Sequence, residues 1–417
     1  MTQIAVLTLG SRGDIQPFIA LSIGLKRAGF AVKLVTYSKF EVLVRSYGVD
    51  CFPLQNSYEE RLVHIIRTPS NPFFRSNQIE KAITPILKKV LIECLKGCEG
   101  ADLIVSAATA FWGFDIAEYL GVPNVAVGLI PLNPTKEFPH CIFPQVNING
   151  FLNELTANLV GHTFWLGFKV GINNWRKETL GLKKWDGVPF ESKQWQEQLQ
   201  LLAYSPALLP QPSDWGSNVH TTGFWFLDEH EGFNPSEELL RFLSEGSEPV
   251  YIGFGSMTLE KEERFKWIEA FLEALRRTGH RGILSGHLAE GLSPENHILC
   301  VDSVPHSWLF PKMALVVHHG GVGTTGAALR AGRPSVVVPF FIDQPFWAGR
   351  LRKLGLSPKS IRKDDLTSEL VVAAIGSVEC SNRMSANAKR MSEKVKSERG
   401  VERAVSLIAA CLNRYNN

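Results

Sequence analysis

Short apolar runs, each long enough for one buried strand, recur along this chain between amphipathic stretches. In the first half these runs are Ile4 to Leu9, Ala31 to Thr36, Asp102 to Ser106 and Pro123 to Val127. Continuous apolar character is expected of parallel strands that are buried on both faces of a sheet. Because the runs alternate with helical patterns, they predict a doubly wound parallel sheet, and the expected fold class is α/β.

The helices between these strands are predicted from capping residues and periodicity. Pro17 suits the first turn of a helix, and an apolar stripe from Phe18 to Leu25 continues that helix. Ser38, followed three residues later by Glu41, resembles a capping box that opens the next helix.

A second series of strands begins at Pro249 to Gly253 and continues with Ala314 to Val317 and Ser335 to Val338. Between the two series, Leu208 to Ser217 holds two prolines and a glycine, which is typical of a connection between domains. The final stretch, Val401 to Tyr415, is amphipathic.

A chain of 417 residues is too long for one ordinary hydrophobic core. We therefore predict two Rossmann-like domains and a terminal helix. The first domain covers residues 1–215, with insertions near 55–100 and 131–200. The second covers residues 216–400, and the helix covers 401–417.

Composition narrows the class of protein. Hydrophobic residues make up 45% and charged residues 20%, as in a folded soluble protein. The 44 basic and 41 acidic residues nearly balance, which argues against a nucleic-acid surface. The chain begins without a basic leader, and no apolar run approaches the ~20 residues that a membrane helix needs. We expect a cytoplasmic protein, and leave open its oligomeric state and a peripheral membrane contact, for instance at 55–100.

The seven cysteines are odd in number and scattered. Cys94 and Cys98 stand one helical turn apart, but no second pair completes a zinc site. We expect reduced, mostly buried thiols.

The segment His318 to Thr325, HHGGVGTT, carries the strongest chemical signal. It lies between an apolar run and a helix-forming stretch, so it predicts a strand, a glycine turn and a helix. Two hydroxyl residues and several exposed backbone N–H groups at a helix start suit a diphosphate.

Two further blocks flank this turn, VPHSWLFP at Val304 to Pro311 and PFFIDQPFW at Pro339 to Trp347. Together the three blocks resemble the donor-binding signature of family 1 glycosyltransferases of the GT-B fold, in the sterol glucosyltransferase branch and its bacterial relatives. GSRGDIQPFIALSIGLKRAGF, at Gly10 to Phe30, is similar to the same branch. The resemblance implies two Rossmann-like domains that face across a cleft. The first would bind the acceptor and the second the nucleotide-sugar, and the last helix would cross back onto the first.

The leaving diphosphate needs donors placed around its oxygens. Some glycosyltransferases hold a metal with an Asp-x-Asp motif, which this sequence lacks, so we expect no metal and no cofactor. The predicted diphosphate ligands are His319, Gly321, Gly323, Thr324, Ser256, Ser11, Arg12 and Gly13. The alternative for His319 is a satisfied core histidine. His318 is expected to point to the opposite face.

The resemblance also assigns the sugar and the base. Asp343 and Gln344 would grip the hexose hydroxyls, although Asp343 could instead cap a helix. Many family members carry a Gly-His-x-x-Pro run, and here Asp14 stands in the histidine position. The sterol and glycopeptide branches share that aspartate, which is therefore the expected general base. The alternative is that Asp14 caps a helix, and both roles could coexist.

Two departures concern the nucleotide. The Glu that grips the ribose in plant members corresponds to Ala327 here, and the Trp that stacks on the base corresponds to Ser303. Ser303, Val304 and His306 are expected to recognise the base instead. The branch favours UDP.

Aromatic residues cluster in the first half and suit an apolar acceptor pocket. The candidate acceptor ligands are Trp112, Phe138, His140 and Trp165. The plainer alternative for each aromatic residue is a core position.

These inferences predict an inverting, metal-independent glycosyltransferase. It would move a hexose, with UDP-glucose as the expected donor, onto the hydroxyl of a sterol-like or other apolar lipid alcohol. Alternatives are a glycopeptide, polyketide or glycolipid-precursor acceptor, a catalytically silent nucleotide- or lipid-binding relative, and a sugar-nucleotide epimerase.

Overall fold

The computed structural model describes residues 1–55, 72–143, 149–228, 233–257, 259–292 and 297–416, and describes side chains outside 72–83 and 416. The described chain divides into two compact units. Unit 1 contains residues 1–203, 211–227 and 399–417, and unit 2 contains residues 204–210 and 228–398.

Unit 1 is built on a parallel sheet of seven strands in the order β3-β2-β1-β4-β5-β6-β7. Its strands are β1 (Gln3–Leu7), β2 (Ala31–Tyr37), β3 (Asp50–Leu54), β4 (Leu103–Ala107), β5 (Asn124–Gly128), β6 (Leu199–Leu202) and β7 (Val219–Thr221). The connecting helices are α1 (Arg12–Arg27), α2 (Glu41–Ser46), α3 (Pro72–Cys98), α4 (Gly113–Leu120), α5 (Phe151–Trp175) and α6 (Lys193–Glu197).

Unit 2 has a five-stranded parallel sheet in the order β10-β9-β8-β11-β12. Its strands are β8 (Val250–Gly253), β9 (Gly282–Ser285), β10 (Ile298–Val301), β11 (Leu315–His318) and β12 (Ser335–Val337). Its helices are α7 (Glu237–Ser244), α8 (Lys261–Thr278), α9 (His306–Leu309), α10 (Val322–Ala331), α11 (Gln344–Lys353), α12 (Ser368–Glu379) and α13 (Asn382–Ser397). The last helix, α14 (Gly400–Asn416), belongs to unit 1.

In each sheet the order in which the chain adds strands reverses at one point. In unit 1 the chain starts at β1, runs outward to β3, and returns to place β4 beside β1. Unit 2 repeats this, with β11 placed beside β8. In open α/β sheets, ligands bind outside the carboxyl ends of the two strands at such a switch point. The predicted α/β class with two doubly wound sheets is therefore confirmed, and the fold itself indicates where ligands bind.

The division into units differs from the predicted boundary between residues 215 and 216. The reason is β7, which pairs with β6 and so extends the sheet of unit 1. Residues 399–417 also cluster with unit 1, where α14 packs against α1 and brings Val401 against Gly24. Of the predicted insertion at 55–100, residues 56–71 lie outside the described residues, and 72–98 form α3.

Two predictions of helix starts are wrong. Helix α1 begins at Arg12, because Ser11 and Asp14 form a capping box, so Pro17 lies inside the helix rather than in its first turn. Ser38 opens a short 3₁₀ turn, and Glu41 is the first residue of α2 and pairs with Arg45 at 2.9 Å. Local hydrogen bonding thus placed the first start, and a 3₁₀ turn between β2 and α2 separates Ser38 from the second.

All seven cysteines are free thiols. Cys94 and Cys98 lie in the core, where burial raises the pKa of the Cys94 thiol to about 12 and that of Cys98 further. In the described residues, no helix combines the length and apolar character needed to cross a membrane.

Candidate active site

The carboxyl ends of β8 and β11 form the centre of the candidate site in unit 2. The two strands are neighbours, with His318 paired to Gly253. The chain after β8 turns through Gly255 and Ser256, and the chain after β11 turns through His319 to Gly321. Predicted diphosphate ligands from two distant parts of the sequence therefore follow adjacent strands.

The imidazole of His319 is enclosed between two glycines. A Cβ atom on Gly255 would lie 3.1 Å from Cε1 of the ring, and a Cβ on Gly321 would lie 2.3 Å from Nε2. Gly255 also has φ +61°, a conformation that favours glycine. Because side chains are absent on both sides, the ring fits between the two turns.

His319 is 8% exposed, and its Nδ1 atom has no hydrogen-bond partner within the described part of the chain. Burial lowers the pKa of His319 to about 4, so the ring is neutral at physiological pH. A buried ring nitrogen without a partner is uncommon, since desolvation costs free energy that a hydrogen bond normally offsets. The alternative, in which His319 is a core histidine with all its hydrogen bonds made, therefore does not match the structure.

The turn after His319 opens helix α10. Gly320 has φ +88°, and a Cβ there would lie 2.9 Å from Cγ1 of Val337 and 3.1 Å from the carbonyl oxygen of Gln344. Gly321 is the N-cap, and the first backbone bond of the helix runs from Thr325 N to Gly321 O at 2.9 Å. The N–H groups of the preceding turn have no carbonyl within the helix, as at every helix start. Gly323 is exposed and Thr324 half-buried at this turn.

His318 is buried like its neighbour, and its Nε2 atom likewise has no hydrogen-bond partner among the described residues. Its side chain is fully buried, and its Nδ1 accepts a hydrogen bond from Gly320 N at 3.0 Å. Burial lowers the pKa of His318 to about 3. The His318 ring therefore restrains the glycine turn through this hydrogen bond.

Asp343 and Gln344 stand at the start of α11. Asp343 is its N-cap residue, and its Oδ2 accepts from Trp347 Nε1 at 2.8 Å. Gln344 is buried, and its Oε1 accepts from Phe340 N at 2.7 Å and from Phe341 N at 3.3 Å. The Gln344 side chain thus braces its own loop, which the sequence did not predict.

This loop contains a backbone outlier. Ile342 has φ +60°, the only non-glycine residue with positive φ among those described. A β-branched residue seldom adopts this conformation, and its presence indicates that surrounding bonds hold the chain in place. The two hydrogen bonds to Gln344 are such restraints. No local sequence signal marks Ile342, because the strain comes from the closure of the loop.

The segment predicted to recognise the base lies before α9. Ser303 is exposed and Val304 half-buried. The His306 ring stacks on Phe310, with centroids 4.2 Å apart, and its Nε2 lies 3.3 Å from the Tyr251 hydroxyl. The His306 side chain is therefore engaged inside unit 2.

In unit 1, Asp14 follows the carboxyl end of β1. Its Oδ2 accepts from both Ser11 N and Ser11 Oγ at 2.8 Å. Gly10 has φ +129°, and a Cβ there would lie 2.5 Å from the same carboxylate oxygen. The capping role weighed for Asp14 is thus present, and the half-buried side chain stands at the switch point of its sheet. Arg12 and Gly13 are exposed on the first turn of α1.

The candidate acceptor residues do not share one environment. Trp112 and Trp165 are 3% and 2% exposed and belong to the core of unit 1, as the plainer alternative held. Phe138 is half-buried. His140 is buried, its backbone N donates to Thr156 Oγ1 at 2.7 Å, and burial lowers the pKa of its ring to about 4.

The sequence did not identify the hub of this aromatic region. Phe111 follows β4, the other strand at the switch point of unit 1. Its ring lies 5.4–5.6 Å from those of Trp112, Phe164, Phe168 and Phe190. Edge-to-face rings at these distances stabilise one another. Within the described ranges, no group of three or more His, Cys, Asp or Glu side chains is placed to hold a metal ion.

Solved structures define the class of fold. CalG4, the calicheamicin glycosyltransferase, superposes with a TM-score of 0.74 at 17% identity over 99% of each chain. The glycosyltransferase of kitacinnamycin gives a TM-score of 0.72 at 18% identity over 98% of each chain. The protein has the GT-B fold.

Two family models match separate parts of the chain. Residues 4–139 match the glycosyltransferase family 28 N-terminal domain, and residues 287–409 match the erythromycin biosynthesis protein CIII-like, C-terminal domain. A sterol 3-beta-glucosyltransferase of Arabidopsis thaliana is 32% identical over 97% of this chain and 64% of its own length. One from Pichia angusta is 32% identical over 97% of this chain and 33% of its own length.

The chain is thus similar to glycosyltransferases in both units, and over 97% of its length to sterol 3-beta-glucosyltransferases. It spans about two thirds and one third of the lengths of these two relatives.

Proposed function

We propose that this protein is an inverting, metal-independent glycosyltransferase that moves a hexose from a UDP-sugar, with UDP-glucose the expected donor, to the hydroxyl of a sterol-like or other apolar lipid alcohol. The observation that carries the proposal is the buried, unpartnered Nδ1 of His319 beside the open start of α10. A bound diphosphate would provide acceptors for both.

The donor would bind on unit 2. Backbone N–H groups of Gly321, Gly323 and Thr324 would donate to phosphate oxygens, as helix starts do for anions in many folds. Neutral His319 would add a ring N–H donor without adding a full charge. Ser256 follows the adjacent strand and would extend this cradle, and Ser11, Arg12 and Gly13 would contribute from the first turn of α1.

Asp343 would bind the hexose at the start of α11, and the braced loop before it would fix its position. The backbone around Ser303, Val304 and His306 would recognise the base. Gln344 is assigned a positioning role alongside any contact with the sugar, because its amide oxygen already holds Phe340 N and Phe341 N.

Asp14 would accept the proton of the acceptor hydroxyl while that oxygen attacks the anomeric carbon. As the new C–O bond forms, the bond between the anomeric carbon and the diphosphate oxygen breaks. The electron pair stays on the diphosphate, and the hydrogen-bond donors at α10 would stabilise its negative charge. One base and no protein nucleophile give a single displacement, so an α-linked donor would yield a β-glycoside. Ser11 would keep the carboxylate oriented through its two hydrogen bonds.

The acceptor would lie on unit 1, where Asp14 and the aromatic region after β4 follow the two strands at the switch point. Phe138 and His140 remain candidate contacts. Trp112 and Trp165 are core residues, and they would support the aromatic side chains that contact the acceptor.

The decisive experiment is to incubate the protein with UDP-glucose and a panel of acceptors in the presence of EDTA. Sterols, other lipid alcohols, phenolic aglycones and a glycopeptide would form the panel. Release of UDP that depends on a sterol or lipid alcohol, with a β-linked product by NMR, is the expected result. UDP-sugar turnover without an acceptor would indicate an epimerase, and binding of UDP without turnover a silent relative. Retention of configuration would refute the single displacement.

A further inference from the structure

Helix α5 (Phe151–Trp175) has an exposed face of unusual composition. From 151 to 170 the exposed positions include seven apolar side chains. They are Phe151, Leu152, Leu155, Leu159, Phe164, Leu166 and Val170. The remaining exposed positions are His162, Thr163 and Lys169. An ordinary surface helix shows polar residues on its solvent side. The solvent side of α5 is instead mostly apolar between 151 and 170.

Most of the apolar side chains lie on one side of the helix. Leu152, Leu155, Leu159, Leu166 and Val170 recur at helical spacing there, and Leu152, Leu159 and Leu166 are 52%, 56% and 56% exposed. The exposed His162 and Thr163 interrupt the row between Leu159 and Leu166. At 1.5 Å per residue the row is about 30 Å long. Exposed apolar surface concentrated on one face marks an interaction site in a soluble protein. We call these five residues the α5 stripe.

The opposite side of α5 is fixed in the core. Trp165, Ile172 and Trp175 are at most 2% exposed and belong to the core of unit 1. The helix therefore cannot insert end-on, and α5 is not among helices long and apolar enough to cross a membrane. Any surface it binds must meet the stripe lengthwise, as interfacial helices meet a lipid surface.

Charge decides the nature of the partner. No exposed position of α5 between 151 and 170 is acidic, and Lys169 lies beside the stripe. Lys177, Lys183 and Lys184 are exposed just past the helix. Among the acidic groups nearby, Glu178 lies 3.7 Å from Lys88 and Glu191 lies 3.3 Å from His162, while Asp186 is exposed beside Lys183 and Lys184. The exposed lysines therefore outnumber the exposed acidic groups that are not in ion pairs.

We propose that the α5 stripe docks the protein on an anionic lipid surface, with the lysines at its carboxyl end facing lipid head groups. A leucine-rich stripe would bury itself at the boundary of head groups and acyl chains, and the lysines would add an attraction that salt screens. The proposal rests on the exposed face and on the charges beside it, and it would explain how the protein reaches a lipid alcohol.

The test is co-flotation of the full chain with vesicles of phosphatidylcholine alone and of phosphatidylcholine with 30% phosphatidylglycerol, at about 50 and 500 mM salt. We expect binding to the anionic vesicles that weakens at high salt. The double variant Leu159→Glu/Leu166→Glu should lower the partition coefficient at least about tenfold. Both positions are already exposed, so its thermal unfolding should match that of the unaltered chain.

The matched control is Val42→Glu/Leu370→Glu, which adds the same charge at exposed apolar positions on α2 and α12. It should bind vesicles almost as the unaltered chain does. The proposal is overturned if the unaltered chain binds neither vesicle, if it binds both equally, or if the two double variants lose binding alike. It is also overturned if the stripe variant abolishes a dimer seen by sedimentation without changing flotation.

Activity on a detergent-soluble acceptor separates this proposal from the proposed function. The stripe variant should retain that activity and lose activity only on vesicle-borne acceptor. Vesicle binding by a chain without transferase activity would support the docking surface and count against the function.

Discussion

The two units use the same sheet order around their switch points and place different chemistry there. Unit 2 presents glycine turns, a helix start and two buried neutral histidines, so most of the hydrogen-bond donors there are backbone N–H groups. Unit 1 presents a carboxylate and a region of aromatic side chains. A diphosphate is the same in every donor and can be bound by backbone geometry, whereas an acceptor varies and must be matched by side chains. Substitutions in one unit at a time can separate the contributions of unit 1 and unit 2.

The largest effect is expected for Asp14→Asn. Asparagine retains an oxygen that can accept from Ser11, so the start of α1 should survive while the base is lost. We expect turnover to fall about 10²–10⁴-fold with UDP affinity nearly unchanged. Steady-state kinetics and calorimetric UDP titration measure the two quantities. Activity above half of normal would reduce Asp14 to a helix cap.

A structural effect confined to unit 1 is expected for Arg176→Met. Arg176 is buried, with Nη1 bonded to Asp115 and 2.9 Å from Glu118, and its guanidinium lies 4.4 Å from the centroid of the Trp185 ring. Its loss leaves the buried Asp115 carboxylate without an opposite charge, although Trp185 Nε1 still donates to it at 2.9 Å. Breaking a buried ion pair in this way costs about 3–5 kcal/mol of unfolding free energy.

Urea unfolding measures this cost, and UDP affinity should be retained. Lys88→Met is the control, because its exposed pair with Glu178 contributes about 0–1 kcal/mol. Equal destabilisation by both variants would contradict the assignment of the buried network.

In unit 2, Gly321→Ala should weaken UDP binding about 10–100-fold, equivalent to about 1.4–2.8 kcal/mol. The new methyl group would lie 2.3 Å from Nε2 of His319 and force the ring away from the start of α10. Gly349→Ala, on α11 with open space around it, serves as the control and should leave UDP affinity unchanged. Unaltered UDP affinity in both variants would remove His319 from the donor site.

Gln344→Met tests the bracing of the loop at 340–343. Methionine conserves volume but cannot accept from Phe340 N and Phe341 N, so we expect about 1–3 kcal/mol of destabilisation. Ile342→Gly should stabilise by up to about 1 kcal/mol, because glycine adopts positive φ readily. If Gln344 serves the sugar alone, Gln344→Met will raise KM for the UDP-sugar while unfolding stays unchanged.

The smallest effect concerns pH. The folded-state pKa values of His318 and His319, about 3 and 4, lie below the ordinary 6.5, so the unfolded chain binds more protons as pH falls through 6.5. Each histidine therefore stabilises the folded chain above that pH. Acidification from pH 7 to 6 should lower the free energy of unfolding by about 0.7 kcal/mol per histidine.

Unit 1 should be less sensitive to acid. His140 and the half-buried His220 act in the same direction, but burial raises the pKa of Asp115 to about 6, which favours the folded state as pH falls from 6 towards 3.8. Hydrogen exchange of the central strands at pH 7 and 5.5, corrected for intrinsic rates, measures each unit separately. His318→Asn should reduce the acid sensitivity of unit 2. Equal losses in both units would contradict this account.

Much of unit 2 could be predicted from the sequence because its site is local. The run HHGGVGTT is one continuous turn, and its glycines specify positive φ, close packing on a ring and a helix start. Sequence reasoning failed where a local capping box was overlooked and where the outcome depended on pairing between distant residues. The start of α1 moved with the Ser11–Asp14 capping box, and β7 joined unit 1 because it found an edge beside β6.

The sequence by itself determined two α/β sheets, the glycine turn before α10 and the presence of a carboxylate after the first strand, since each depends on residues close together in the chain. Only the tertiary structure decided that His319 is buried between Gly255 and Gly321, that Gln344 braces a strained Ile342, and that Trp112 and Trp165 are core residues. It also decided that leucines of α5 face outward. Burial is a property of the packed chain, and the same apolar spacing fits a core face and an exposed one until the neighbours are in place.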